Sequence, residues 1–152
     1  MVFQNARAEL HGGPDTPKLH GTVAFTRENG GTWVRVRVYG LPLPEKGDRV
    51  RFFGFHVHEK GDCTTAPGEE AFAATGGHYN PTDSAHGGHA GDLPALISSG
   101  GMAEMEFFTG GFLPEEVVGR SVVIHAHPDD FHTSPAGNSG PKIACGRIFG
   151  DR

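Results

Sequence analysis

The sequence predicts an all-β fold, an antiparallel sandwich or barrel. Three observations carry that expectation. Short apolar runs alternate with polar residues at a period of two, most clearly in Trp33-Val34-Arg35-Val36-Arg37-Val38. Glycine (24) and proline (11) are abundant among 152 residues, which multiplies turns and disfavours long helices. Two long aperiodic segments, rather than many short ones, separate the later strand-like runs.

The elements follow in order. Ala6 to Leu10 and Leu19 to Thr26 are short strand-like runs. Asn29-Gly30-Gly31 reads as a hairpin turn, and Thr32 to Tyr39 as the strand after it, with Val34, Val36 and Val38 on one face and Arg35 and Arg37 on the other. Pro42 and Pro44 end that strand. Arg49 to His58 is the next. From Cys63 to Pro94 no periodicity survives, and a loop of this length inside one domain is usually functional. Met102 to Phe108 and Arg120 to His125 resume strand character. Pro128 to Lys142 is a second long loop, and Ile143 to Phe149 a final strand. The length suits one domain over residues 1–152, with no internal repeat.

Charge and hydropathy exclude several classes. A net charge of -5 disfavours a nucleic-acid partner, which usually meets a basic face. No apolar run approaches a membrane span. The opening Met1-Val2-Phe3-Gln4-Asn5-Ala6-Arg7 lacks a signal-peptide core, so the expected compartment is the cytoplasm as written, or outside it if a leader was removed. Cys63 and Cys145 are either a disulfide closing a long loop or two buried thiols, and the count leaves both open.

Ten histidines against two cysteines direct attention to metal chemistry. In Phe55-His56-Val57-His58 the two imidazoles share a strand face and converge on one side. His78 lies in Gly76-Gly77-His78-Tyr79-Asn80-Pro81. His86, His89 and Asp92 lie in one short stretch, and His125 ends a strand. Imidazole suits zinc and copper; a carboxylate added to histidines without thiolate suits Zn²⁺, and an all-histidine set on rigid strands suits copper. His11, His20, His127 and His132 lack such context and read as solvated side chains.

These strings, in this order, resemble the copper–zinc superoxide dismutases: Gly-Phe-His-Val-His-Glu-Lys-Gly-Asp-Cys at 54–63, Gly-Gly-His-Tyr-Asn-Pro at 76–81, His-Ala-Gly-Asp-Leu-Pro at 89–94, Ile-His-Ala at 124–126, and Gly-Asn-Ser-Gly-Pro-Lys-Ile-Ala-Cys-Gly at 137–146. The resemblance, closest to bacterial forms, implies an eight-stranded Greek-key β-barrel with metals held outside it by two loops. It implies one copper on His56, His58, His78 and His125, and one zinc on His78, His86, His89 and Asp92. His78 would bridge them as an imidazolate and exchange a proton during turnover. Asp129 matches a carboxylate that joins a copper ligand to a zinc ligand, with Asp130 an adjacent competitor. Cys63 and Cys145 fall at the disulfide positions. The implied substrate is superoxide, and a homodimer is one expected assembly.

Three departures stand out. Lys142 occupies the place of the family's anion-guiding arginine, keeping the charge but not the planar fork. Only Gly87 and Gly88 separate His86 from His89, which shortens the zinc loop. Leu43 to Phe53 resembles an insertion ahead of the metal strand. Three rival readings stand beside it: a non-enzymatic copper- or zinc-binding domain, a zinc hydrolase using Glu59 as a general base, and a structural β-sandwich with incidental histidines.

Overall fold

A computed structural model describes residues 4–151; Met1 to Phe3, the start of the N-terminal segment read above, and Arg152 lie outside the described residues. Its strands are β1 (Asn5–Gly12), β2 (His20–Glu28), β3 (Gly31–Tyr39), β4 (Arg51–Phe53), β5 (Phe55–His58), β6 (Leu96–Ser98), β7 (Ala103–Thr109), β8 (Ser121–His125) and β9 (Lys142–Asp151). A 3₁₀ turn, Ala73–Thr75, and one helical turn, α1 (Pro114–Val117), are the helical segments among the described residues.

Every pairing is antiparallel. Seven strands form one sheet in the order β5-β8-β9-β1-β2-β3-β7, and β4 pairs with β6. β4 and β5 are two halves of one strand interrupted at Gly54, and β6 runs into β7 through a turn closed by Ser99 and Met102. The short pair therefore links the two ends of the long sheet, and the whole curls into a barrel. Counting 51–58 as one strand gives the eight expected. The non-sequential neighbours β1·β9, β3·β7 and β5·β8 are Greek-key crossings.

Sequence alternation explains what faces inward. Ala6, Ala8 and Leu10 on β1, Val23 and Phe25 on β2, and Val34, Val36 and Val38 on β3 enter one core with Phe53, Phe55, Val57, Val122, Ile124 and Ile148. Burying each larger side chain contributes about 1.5–3 kcal/mol. Asn29 and Gly30 take φ of 47° and 77°, the positive values that a two-residue type I′ hairpin requires. The strand expected from Arg49 begins at Arg51, and residues 43–50 are irregular. β6 lies in a region without a predicted strand, because three residues between Pro94 and Gly100 cannot establish a period.

The same alternation places the chemistry outside the core. On β5, Phe55 and Val57 point in, so His56 and His58 point out. On β8, Val122 and Ile124 point in, which leaves Val123 and His125 outside. All three histidines are nevertheless buried, because the two long loops cover this side of the barrel.

Candidate metal centre

Backbone pairing docks the first long loop against β5. The Val57 N–H donates to the Gly91 carbonyl at 2.8 Å, and the Val57 carbonyl accepts from Tyr79 N–H at 2.8 Å. Glu59 N–H donates to the Gly77 carbonyl at 2.9 Å. His58 thereby lies opposite His78, and His56 opposite Asp92. The Cys63–Cys145 disulfide, with Cα atoms 5.7 Å apart, ties the start of the loop to β9. Phe72 packs beside it with Val123.

Four of the imidazoles have one nitrogen fixed by an oxygen acceptor outside the two donor sets, and that contact sets the tautomer. His58 Nδ1–H donates to the Gly76 carbonyl and His125 Nδ1–H to the Gly140 carbonyl, both at 2.9 Å. Their Nε2 lone pairs then face each other at 3.1 Å. His56 Nε2–H donates to Asp129 Oδ2 at 2.6 Å, and His86 Nε2–H to Asp129 Oδ1 at 2.7 Å. Three buried imidazole nitrogens have no hydrogen-bond partner among the described residues: His56 Nδ1, His78 Nε2 and His86 Nδ1. Bare lone pairs packed together are costly unless a cation sits among them.

Two sets result. His56, His58, His78 and His125 bring four nitrogens within 4.8 Å of one another, and so do the donor atoms of His78, His86, His89 and Asp92. His78 belongs to both and uses opposite sides of its ring. Its Nδ1 lies 3.0 Å from Asp92 Oδ1 and 3.1 Å from His89 Nδ1, while Nε2 is left for the all-histidine set. Four nitrogens suit copper, and three nitrogens with a carboxylate suit zinc. A third cluster of His56, His86 and Asp129 has hydrogen-bond distances and is the brace just described.

Protonation agrees with this donor chemistry. Burial, then neighbouring histidines, pushes the His56 and His58 imidazoliums far below the ordinary range. Burial lowers His78 as well and carries His125 down to about 4. Burial alone would raise Asp92, but the hydrogen bond from His78 and the nearby His86 and His89 outweigh it and bring the carboxyl to about 2. At neutral pH His56, His58, His78 and His125 therefore present lone pairs, and Asp92 a carboxylate.

The short loop expected to hold zinc is braced by its own candidate ligand. Asp92 Oδ2 accepts N–H from Gly87 at 2.8 Å and from His89 at 2.9 Å, leaving Oδ1 among the imidazoles. Asp129 and Asp130 divide the roles left open between them. Asp129 is buried and spans the two sets, whereas Asp130 accepts from His132 N–H, Thr133 N–H and the Thr133 hydroxyl and staples its own loop. Glu59 is exposed, and its carboxylate accepts from Gly77 N–H at 3.3 Å. His11, His20, His127 and His132 join neither set among the described residues.

The Lys142 ammonium reaches Thr75 Oγ1 at 2.7 Å, the Gly76 carbonyl at 3.2 Å and the Phe72 carbonyl at 3.4 Å. It lines a cavity of about 670 Å³ together with Asp15, Glu69 and Glu70. Residue-type reasoning missed several contributors. The Gly76 and Gly140 carbonyls orient ligand rings through backbone atoms, which no side-chain pattern reveals. Gly137 is a further case: a Cβ there would lie 1.9 Å from Asp129 Oδ1, and its φ is 66°. Its place in Gly-Asn-Ser-Gly was the available signal.

Comparison with known proteins decides the family. The profile of the copper/zinc superoxide dismutases (SODC) matches residues 19–148. The chain belongs to the copper/zinc superoxide dismutase family. It is 36% identical over 148 positions to the "Superoxide dismutase [Cu-Zn]" of Deinococcus radiodurans, covering 86% of this chain and 78% of the relative. It is 34% identical over 146 positions to that of Cryptococcus neoformans var. grubii, covering 86% and 89%. The solved "Cu/Zn superoxide dismutase from Brucella abortus" superposes with a TM-score of 0.79 at 28% identity, over 94% of this chain and 98% of that one. Within this family, the His56–His58 strand and the His78-centred pair of donor sets are where the shared chemistry would be housed.

Proposed function

We propose that this chain, as one unit over residues 1–152, disproportionates superoxide to dioxygen and hydrogen peroxide, with copper on His56, His58, His78 and His125 and zinc on His78, His86, His89 and Asp92. Family membership carries the reaction. The opposed nitrogens of His78, each facing a separate donor set, carry the ligand assignment. When bound, copper supplies one-electron chemistry, taking an electron from one superoxide and returning it to a second, while zinc supplies fixed positive charge.

The side chains do the rest. A neutral imidazole keeps one N–H, so His78 offers lone pairs to both sets only after losing both ring protons. Nε2 of His78 is then the atom that takes up and returns a proton, and two protons enter per peroxide formed. Asp92 holds the other side of that ring. The Gly76 and Gly140 carbonyls keep His58 and His125 in the ligating tautomer. Asp129 does the same for His56 and His86 and couples the two sets. Lys142 places positive charge beside the histidines and attracts the anionic substrate.

The zinc hydrolase reading loses support on two counts. Four protein donors fill the mixed set, which leaves no open position for water, and Glu59 is held on the loop backbone. The net charge of -5 supports the absence of a nucleic-acid partner. Among the described residues no helix is long and apolar enough to cross a membrane. A homodimer is supported by the exposed Phe52 and Ile97, paired across β4 and β6, and sedimentation of Phe52→Glu tests it.

Reconstitution with Cu²⁺ and Zn²⁺ tests the main reading. One of each metal per chain with rapid superoxide consumption is expected. Full copper loading without turnover would replace the enzyme by a metal-binding protein. His58→Ala should abolish turnover with the barrel intact, and retained activity would refute the copper assignment.

A further inference from the structure

We infer that Thr75 is a positioning residue for Lys142, supplying the acceptor that fixes a lysine ammonium where a guanidinium fork is absent. The inference rests on the steering role proposed for Lys142. An ammonium has three N–H donors on a tetrahedral nitrogen. Lys142 directs them to three oxygens of one segment, and the shortest contact is to Thr75 Oγ1 at 2.7 Å, against 3.2 Å and 3.4 Å to the Gly76 and Phe72 carbonyls. The two carbonyls alone would leave the cation loosely held.

Thr75 is prepared for this. Its side chain is fully buried. Its hydroxyl proton is committed to the Phe72 carbonyl at 2.8 Å, so the oxygen faces Lys142 as an acceptor. Its backbone is tied at both ends, N–H to the Phe72 carbonyl at 3.1 Å and carbonyl to Lys60 N–H at 3.0 Å. Phe72 is in turn buried against Val123 and the Cys145 end of the disulfide. The acceptor therefore stands on a rigid base. Burial alone pushes the Lys142 ammonium toward deprotonation, and Glu70 partly opposes it. A charge so placed needs a short, oriented acceptor.

The position of this charge also reaches a ligand. The Gly76 carbonyl accepts from both Lys142 and His58 Nδ1. With Thr75 in place, the ammonium stays at that carbonyl and at the edge of the histidine cluster. Without it, the four-carbon stem can swing toward Glu70 and the acidic cavity, and the charge is withdrawn from the anion's path.

The test compares holoenzymes carrying Thr75→Val, Thr75→Ser and Lys142→Gln, each checked for metal content. Superoxide consumption is measured against ionic strength, and the Lys142 ammonium resonance is followed in the reduced, diamagnetic protein. Thr75→Val should lower kcat/KM at low salt by roughly threefold, flatten its salt dependence and lose the slowly exchanging ammonium signal. Thr75→Ser keeps the oxygen and should recover most of both. In the Thr75→Val background, Lys142→Gln should cost little more. If Thr75→Val does not load metals, Thr75→Ala removes the same oxygen with less bulk. A Thr75→Val enzyme with unchanged rate and ammonium signal overturns the inference. If Lys142→Gln alone leaves the rate unchanged, the steering reading fails instead, and the Thr75 contact is judged on the ammonium signal.

Discussion

Asp129→Ala separates the two metals by where their ligands stand. The Asp129 carboxylate accepts from His56 Nε2 at 2.6 Å, His86 Nε2 at 2.7 Å and Phe131 N–H at 2.7 Å. Two of these contacts set the tautomer of a metal ligand. Loss of such an outer partner typically weakens metal affinity about 10- to 100-fold, or about 1.4–2.8 kcal/mol. The two rings should not suffer equally. His56 sits on β5, whose backbone is paired with β8 on one edge and with the loop on the other, so its ring stays near its place. His86 rides on a loop beside Gly87 and Gly88, and the carboxylate is the contact that orients its ring. Zinc affinity should therefore fall toward the upper end of that range and copper toward the lower. Competition against chromophoric chelators measures both, with metal counts on the purified protein. Zinc affinity within twofold of the parent, or a larger loss for copper, would refute the argument.

Three other outcomes follow from the same geometry. Gly137→Ala should displace the Asp129 carboxylate, because the new methyl lies 1.9 Å from Oδ1 at a φ of 66°; a loss of about 1–3 kcal/mol in unfolding free energy and weaker zinc binding are expected, and an unchanged zinc titration would contradict it. The metal-free protein should lose stability as pH falls: His125 takes its proton near 6.5 when unfolded and at about 4 when folded, so its contribution is complete above 6.5 and lost between 6.5 and 4, on the order of 3 kcal/mol, whereas Asp92 acts only below that window. Denaturant unfolding at pH 7.5 and pH 4.5 measures the difference, and equal stabilities would refute the burial of neutral His125. Cys145→Ser opens a loop spanning 82 residues and should remove about 4 kcal/mol, read as a lower melting temperature that reductant no longer changes.

What the sequence made legible was whatever it encodes as periodicity or as residue type. Period-two alternation gave the inward valines of β3 and placed His56 and His58 on one face. The same rule failed at β6, where Leu96-Ile97-Ser98 is too short to show a period and is recognised only through its pairing with β4. The ligand histidines stood out because imidazoles in those strings have few other uses. The parts that orient them did not, since the Gly76 and Gly140 carbonyls are backbone atoms that every residue carries. Asp129 stood ahead of Asp130 only by its place in the family motif, because residue type does not tell which of two adjacent loop carboxylates is buried. Lys142 was visible as a charge, but its three oxygen partners depend on how the 72–76 segment folds back upon β9.

The docking of the first loop on β5 has a consequence for how this protein stays dispersed. β5 is the terminal strand of the seven-stranded sheet, and its outer edge meets no strand there. The Gly77, Tyr79 and Gly91 backbone groups occupy that edge instead. An uncovered strand of Phe55-His56-Val57-His58 would offer a neighbouring molecule an unpaired ladder. The loop that carries His78 to the metals is thus also the guard of a sheet edge. Zinc on the proposed ligands, together with the disulfide, would keep that guard in place and so protect the protein from joining edge to edge with its own copies.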